Sequence, residues 1–315
     1  MGCHPFTRSP IMPAPTPRGF RVIGITFAIA GIVLFSLRPI MVKLAYGYGA
    51  DAVTLLALRM IFSLPFFLAV ALWGGRSKQH APLSRRDLVA ILQLGFLGYY
   101  FASILEFLGL VYLSAGIARL INFLYPTVVV VLSAMFLRKP ITARDAVALV
   151  LSYCGVALVL SHALAGQNAN LPLGTLLEFG SATAYAVYLV VGSQVVQRLG
   201  SVRFTAYAMT VASLLCIAQF LLLRPLAALD LPAIVYGLAI AMAVFATVVP
   251  VFMVSEALRR IGANHVAMFG SLGPVTTVFF GFLGLDEMMS LMQGVGAILV
   301  LAGVVLVSIK PAGTG

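Results

Sequence analysis

Ten times along its length the chain runs for about twenty residues with scarcely a charge, the stretch that carries an α-helix across about 30 Å of hydrocarbon. The runs fall near 21–44, 52–73, 87–111, 114–136, 143–163, 172–194, 203–223, 231–257, 262–284 and 289–309. Composition closes off the alternative of a large soluble core. Of 315 residues, 62% are hydrophobic and 9% charged, against roughly 25% charged in soluble domains. The apolar runs lack the period-2 alternation of a porin-like barrel. The expected fold class is all-α integral membrane, with ten transmembrane helices.

The net charge of +11 invites a nucleic-acid reading, but its distribution excludes one. Fifteen of the twenty Lys and Arg lie in gaps that share one side if the N-terminus is inside, including Arg76, Arg85, Arg138, Lys139 and Arg259. Lys43 and Arg224 alone fall at the other ends, and Arg38, Arg59 and Arg119 lie within spans. That bias places both termini in the cytoplasm. Residues 1–20 are rich in proline and read as a flexible polar lead-in on that side, with no cleavable signal peptide. Cys154 and Cys216 sit in apolar runs and are expected to be buried free thiols, and no His/Cys cluster calls for a metal. No phosphate-binding loop is present, so a built-in ATP-driven pump is excluded.

The chain also repeats itself. A shift of 148 residues lays "SAGIARLINFLYPTVVV" over "GANHVAMFGSLGPVTTV", superposing Leu124 on Leu272 and Pro126 on Pro274, and later Gly155 on Gly303. A shift of 150 lays Gly24 on Gly174. We therefore expect two five-helix units, 21–163 and 172–309. Five is odd, so the second unit enters from the opposite side, the inverted repeat common among secondary transporters.

Ionisable residues inside the spans are the candidate site, because lipid tolerates them only when they face a partner or an aqueous path. Glu106 lies seven residues before the turn at Leu113–Ser114 and Arg119 five after it, so both stand about 8–10 Å from that turn and are expected to pair. The alternative to a gate or substrate contact is a plain hairpin staple. Glu256 and His265 flank the turn expected near Arg260–Ile261 and would form a second latch, unless Glu256 pairs with Arg259 or Arg260 on its own helix. Pro126 and Pro274 each free a carbonyl four residues back, at Asn122 and Gly270, and mark matched helix breaks. On one face of span one lie Gly24, Ala28, Gly31, Phe35 and Arg38. The corresponding face of span six carries Gly174, Glu178, Ser181, Tyr185 and Tyr188, and both faces should look inward. Tyr99 and Tyr100 are further candidates for the path, and Arg59 would snorkel or meet Asp51.

These features, with "FLGLVYLSAGIARLINFLYPTVVVVLSAMFL" and "ALRRIGANHVAMFGSLGPVTTVFFGFLGLDEMMSLMQGVGAILVLAGVVLV", resemble the EamA-type family of the drug/metabolite transporter superfamily. The second copy keeps the family's acid as Glu287, where the first has Lys139. The resemblance implies a permease of the bacterial inner membrane that moves small polar metabolites such as amino acids. Efflux is the expected direction, and proton exchange one of the coupling schemes. Arg38 and Arg119 would then offer positive charge to a carboxylate, while Glu106, Glu178 or Glu256 would answer an amine or carry a proton. Partners are the substrate and the bilayer, no cofactor is implied, and a homodimer is left open. The competing classes are a membrane enzyme acting on lipid-linked substrates and a passive channel or scaffold. Against the enzyme, the four histidines are scattered and no paired carboxylates suit a metal.

Overall fold

The computed structural model describes residues 18–76, 83–137, 141–165, 170–270, 272–285 and 290–308. The expectations for the N-terminal lead-in, for Lys139 and for Asp286–Glu287 lie outside these residues. Every regular element described is helical, as lipid requires of a backbone that must satisfy its own hydrogen bonds. Among the described residues, eight helical stretches are long and apolar enough to span a membrane, and two shorter apolar helices follow at residues 272–285 and 291–306. Large apolar side chains cover the outside: Trp73 and Leu222 are each 82% exposed.

Prolines and polar residues divide the spans. The first expected span becomes α1 (Arg18–Ser36) and α2 (Arg38–Gly47). Pro39 has no N–H to offer the Phe35 carbonyl, so the chain tightens at Leu37, whose N–H donates to Leu34 at 3.2 Å. That break was not foreseen, and it puts Arg38 at a helix start. After α3 (Ala52–Arg76), Ser84 and Asp87 form a capping box on α4 (Arg85–Gly95). A π-helical turn, Phe96–Phe101, leads into α5 (Ala102–Tyr112). The fourth span is α6 (Ala115–Asn122) and α7 (Tyr125–Leu137), parted at Phe123–Leu124 just ahead of Pro126. Next come α8 (Ala143–Ala165), α9 (Leu171–Leu199) and α10 (Ser201–Leu223). The last two join through Gly200 at φ +81°, a left-handed value that favours glycine. Then follow α11 (Ala233–Ala243), a second π-helical turn at Val244–Val248, α12 (Val249–Gly270), α13 (Leu272–Leu285) and α14 (Leu291–Ser308).

The turn expected at Arg260–Ile261 does not interrupt helical hydrogen bonding, which runs on to Gly270. Yet the chain cannot continue straight. Gly31 abuts Pro250 and Val254 while Gly24 abuts Arg260 and Ile261, so this stretch runs antiparallel to α1. Thr277 donates to the Ser36 carbonyl at 3.0 Å, and Gly284 faces Ile40, so α13 runs parallel to the same span. A straight rod would carry residue 273 about 18 Å beyond Gly24, on the side away from Ser36. The chain therefore reverses between Ile261 and Gly273.

The 148-residue spacing recurs in the fold. The π-helical turns begin at Phe96 and Val244. Thr142 and Asp145 exchange side-chain and backbone bonds at the start of α8, while Ser290 and Gln293 do so at the start of α14. Contacts match as well. A Cβ on Gly155 would meet Gly296 and Val300; one on Gly303 would meet Ala148 and Ser152, the same pairing with the copies exchanged. Similarly, Gly24 fits against Arg260 and Ile261, and Gly174 against Tyr112 and Leu113. Cys154 and Cys216 are both free thiols; only Cys216 is buried, and Cys154, against expectation, is exposed on the flank of α8.

Candidate substrate site

The charged residues gather where α2, α5, α6 and α9 meet. Glu106, buried on α5, accepts from Arg38 Nη2 at 2.8 Å. This corrects the expected Glu106–Arg119 pair. The break at Leu37 turns Arg38 toward α5, and α2 is held there by two more bonds. Tyr46 donates to the Phe107 carbonyl at 2.6 Å and Lys43 to the Leu110 carbonyl at 3.3 Å. The turn at Leu113–Ser114 does stand where expected, with Ser114 capping α6 through the Ile117 N–H at 3.3 Å.

Glu178 on α9 is 1% exposed. The Asn122 amide, at the end of broken α6, donates to Glu178 Oε1 at 3.0 Å and reaches Ser181 Oγ at 3.4 Å. Ser181 in turn donates to the Ala102 carbonyl at 2.8 Å. Glu178 Oε2 has no hydrogen-bond partner, and Gly109 makes room for it: a Cβ there would lie 2.8 Å away. Thus the helix break at Pro126 positions an amide, and a glycine on span three admits the acid. Of the faces foreseen from the 150-residue shift, Gly24, Ala28 and Gly31 are buried on one and Gly174, Glu178, Ser181 and Tyr188 on the other, while Phe35, Arg38 and Tyr185 are half-buried.

Beside these groups stand the tyrosines. Tyr185 stacks on Tyr188 with ring centres 5.6 Å apart, and Tyr125 meets Tyr185 edge-on at 5.2 Å. Tyr99, rather than Tyr100, joins them, its hydroxyl 3.1 Å from that of Tyr188. Tyr188 fits because span three carries Gly98, where a Cβ would come within 2.3 Å of the ring. Tyr100 packs on Phe96 instead.

One further expectation changes, for Arg59, and for Glu256 the same-helix alternative is the one found. Arg59 neither snorkels nor meets Asp51. It is 1% exposed, lies 4.9 Å from the centre of the Phe107 ring and donates to Ser103 at 3.3 Å. Asp51 caps α3 through the Val53 N–H at 3.0 Å and pairs with Arg224 at 3.1 Å. Glu256 pairs with Arg260, one turn along α12, at 2.7 Å. Arg260 also lies over Phe20 at 4.6 Å. The side chain of His265 lies outside the described residues. Pro126 stands in the first turn of α7, and Pro274 is buried in α13, whose preceding residue lies outside the described ones.

The model of the EamA-like transporter family matches residues 22–161 and again 172–309. The chain belongs to the EamA-like transporter family. Among its relatives is the "Uncharacterized transporter YcbK" of Bacillus subtilis (strain 168), 31% identical over 87% of this chain and 88% of that protein. "Uncharacterized transporter YyaM" of the same organism is 26% identical over 71% of this chain and 74% of that one. An "Uncharacterized transporter" of Archaeoglobus fulgidus is 27% identical over 81% and 88%. A crystal structure with a TM-score of 0.61 at 17% identity, covering 93% of this chain and 98% of that one, shares the fold. For this EamA-like transporter, a multi-pass membrane protein, the two matched segments give the cluster its meaning. Arg38, Glu106, Arg119 and Asn122 come from the first, Glu178, Ser181, Tyr185 and Tyr188 from the second. The polar centre is the seam between the copies.

Proposed function

We propose that the protein is a secondary transporter of small polar metabolites, amino acids or related compounds, working by alternating access across the bacterial inner membrane. The chain crosses ten times, as two inverted five-helix halves, with both termini in the cytoplasm and with export as the direction. The reversal between Ile261 and Gly273 supports the tenth crossing. The antiparallel run of α8 against α14, with contacts that exchange under the 148-residue shift, supports the inversion.

The observation that carries the reading is the seam itself. Two carboxyls and three guanidiniums gather there: Asn122–Glu178 joins the two copies by a bond that rocking of one half on the other would break and remake, while Arg38–Glu106 and Arg59–Ser103 hold the first copy's side of the seam together. Ionised groups buried in lipid without such a role cost at least ~2.5–3.5 kcal/mol each. Proton exchange fits a seam holding Glu106 and Glu178. The test is purified protein in liposomes, screened for exchange of labelled amino acids with and without a pH gradient. Gradient-driven exchange is expected. Exchange that ignores the gradient removes proton coupling, and no exchange of any small polar solute removes the transport reading.

A further inference from the structure

Arg119 differs from the other charged groups in the seam. Arg38 is bound to Glu106, Arg59 to Ser103 and the Phe107 face, and Glu178 to Asn122. Arg119, at the end of α6 just before the helix break, has neither hydrogen bond nor ion pair among the described residues. Glu106 and Glu178 lie within its electrostatic reach, as do Arg38 and Tyr125, but none is hydrogen-bonded to it. Across from it stands Gly273 on α13. A Cβ there would lie 3.1 Å from Arg119 Nη2 and 3.6 Å from Ser36 Oγ, so the missing side chain is what leaves the guanidinium its place.

A buried guanidinium without a partner is costly, and a planar fork of donors is best answered by a planar anion held by two parallel bonds. Charge narrows the class. Three guanidiniums, Arg38, Arg59 and Arg119, face two carboxyls, Glu106 and Glu178, so the seam holds an excess of cations and favours an anionic group. We propose that Arg119, facing α13 across Gly273, is the seat for one carboxylate of the transported solute, with Gly273 as the positioning residue that keeps the seat open. This names the substrate's chemistry for the site above and rests on the transport reading.

The test uses full-length protein in lipid nanodiscs with formate as probe, against chloride at equal ionic strength and neutral formamide. Thermal unfolding is followed by intrinsic fluorescence. A ligand that binds only the folded state raises Tm with its concentration. Formate is expected to raise the wild-type Tm beyond chloride, and formamide to leave it unmoved. Arg119→Met should lose that rise. Arg119→Lys, which keeps the charge without the fork, and Gly273→Ala, which crowds the guanidinium, should each need several-fold more formate for the same rise. A formate response undiminished in Arg119→Met, or matched by chloride, overturns the proposal. If Arg119→Met does not fold, unchanged formate dependence in both of the other variants overturns it. Arg119-dependent stabilisation in a protein that moves no solute in liposomes would sustain the carboxylate seat and remove the transport reading instead.

Discussion

Gly303→Ala tests the packing between the two copies with a single methyl group. A Cβ at 303 would lie 2.2 Å from Ser152 Oγ, 2.6 Å from the Ala148 carbonyl oxygen and 2.9 Å from Ser152 N. The hydroxyl can rotate away; the two backbone atoms move only if α8 moves. Ordinary contact begins at about 3.4 Å, so the helices must part by about 0.8 Å along most of the interface. Small residues are what let membrane helices approach so closely, and overpacking of this kind costs about 1–3 kcal/mol. Replacing glycine by alanine within a helix returns about 0.5–1 kcal/mol, so the net loss is ~0–2.5 kcal/mol, ~1 kcal/mol at mid-range. Gly294 on the same helix supplies the control, because nothing lies within 4 Å of a Cβ there. Gly294→Ala should therefore be neutral or stabilising. Gly155→Ala, whose Cβ would lie 2.6 Å from the Gly296 carbonyl and 2.8 Å from Val300 N, should cost as much as Gly303→Ala. The assay is reversible unfolding in mild detergent. Equal stability of Gly303→Ala and wild type, or equal losses in Gly303→Ala and Gly294→Ala, would refute the reasoning.

Arg38→Gln and Glu106→Gln should each destabilise by about 3–5 kcal/mol and slow transport, because either leaves a buried charge without its partner. The double variant should lose less than the sum, while Arg119→Gln with Glu106→Gln should be close to additive. Gly109→Ala should displace the Glu178 carboxyl, and a double-mutant cycle with Glu178→Ala should show the two losses overlapping. In the loop ahead of α3, burial works to raise the Asp51 carboxyl, but hydrogen bonds from Thr54 and Arg224 outweigh it and hold the group below its ordinary value. A depressed acid stabilises fully above about pH 4 and loses that contribution as pH falls through the lower folded value. The stability difference between wild type and Asp51→Asn should accordingly close in strong acid; a difference that persists there would show that Asp51 acts only through the geometry of its helix cap.

Membership of the membrane class, the rough places of the spans and the two-copy pattern were legible in the residues alone. Lipid makes hydrophobic run length and backbone self-sufficiency nearly decisive, and prolines and glycines at 148-residue spacing survive as marks of common geometry. The inward face of span six was legible too, because helical periodicity places Glu178, Ser181 and Tyr188 together without knowledge of any neighbour. Partner choice was not. Sequence spacing put Glu106 and Arg119 at one depth, but depth leaves the angle about the helix axis open. Only packing decided that the break before Pro39 turns Arg38 onto Glu106. It also decided that Arg59 lies under Phe107, and that Tyr99 rather than Tyr100 meets Tyr188. The carboxylate seat depends on Gly273, a residue whose role is the space it leaves, and such space exists only once two helices are set side by side.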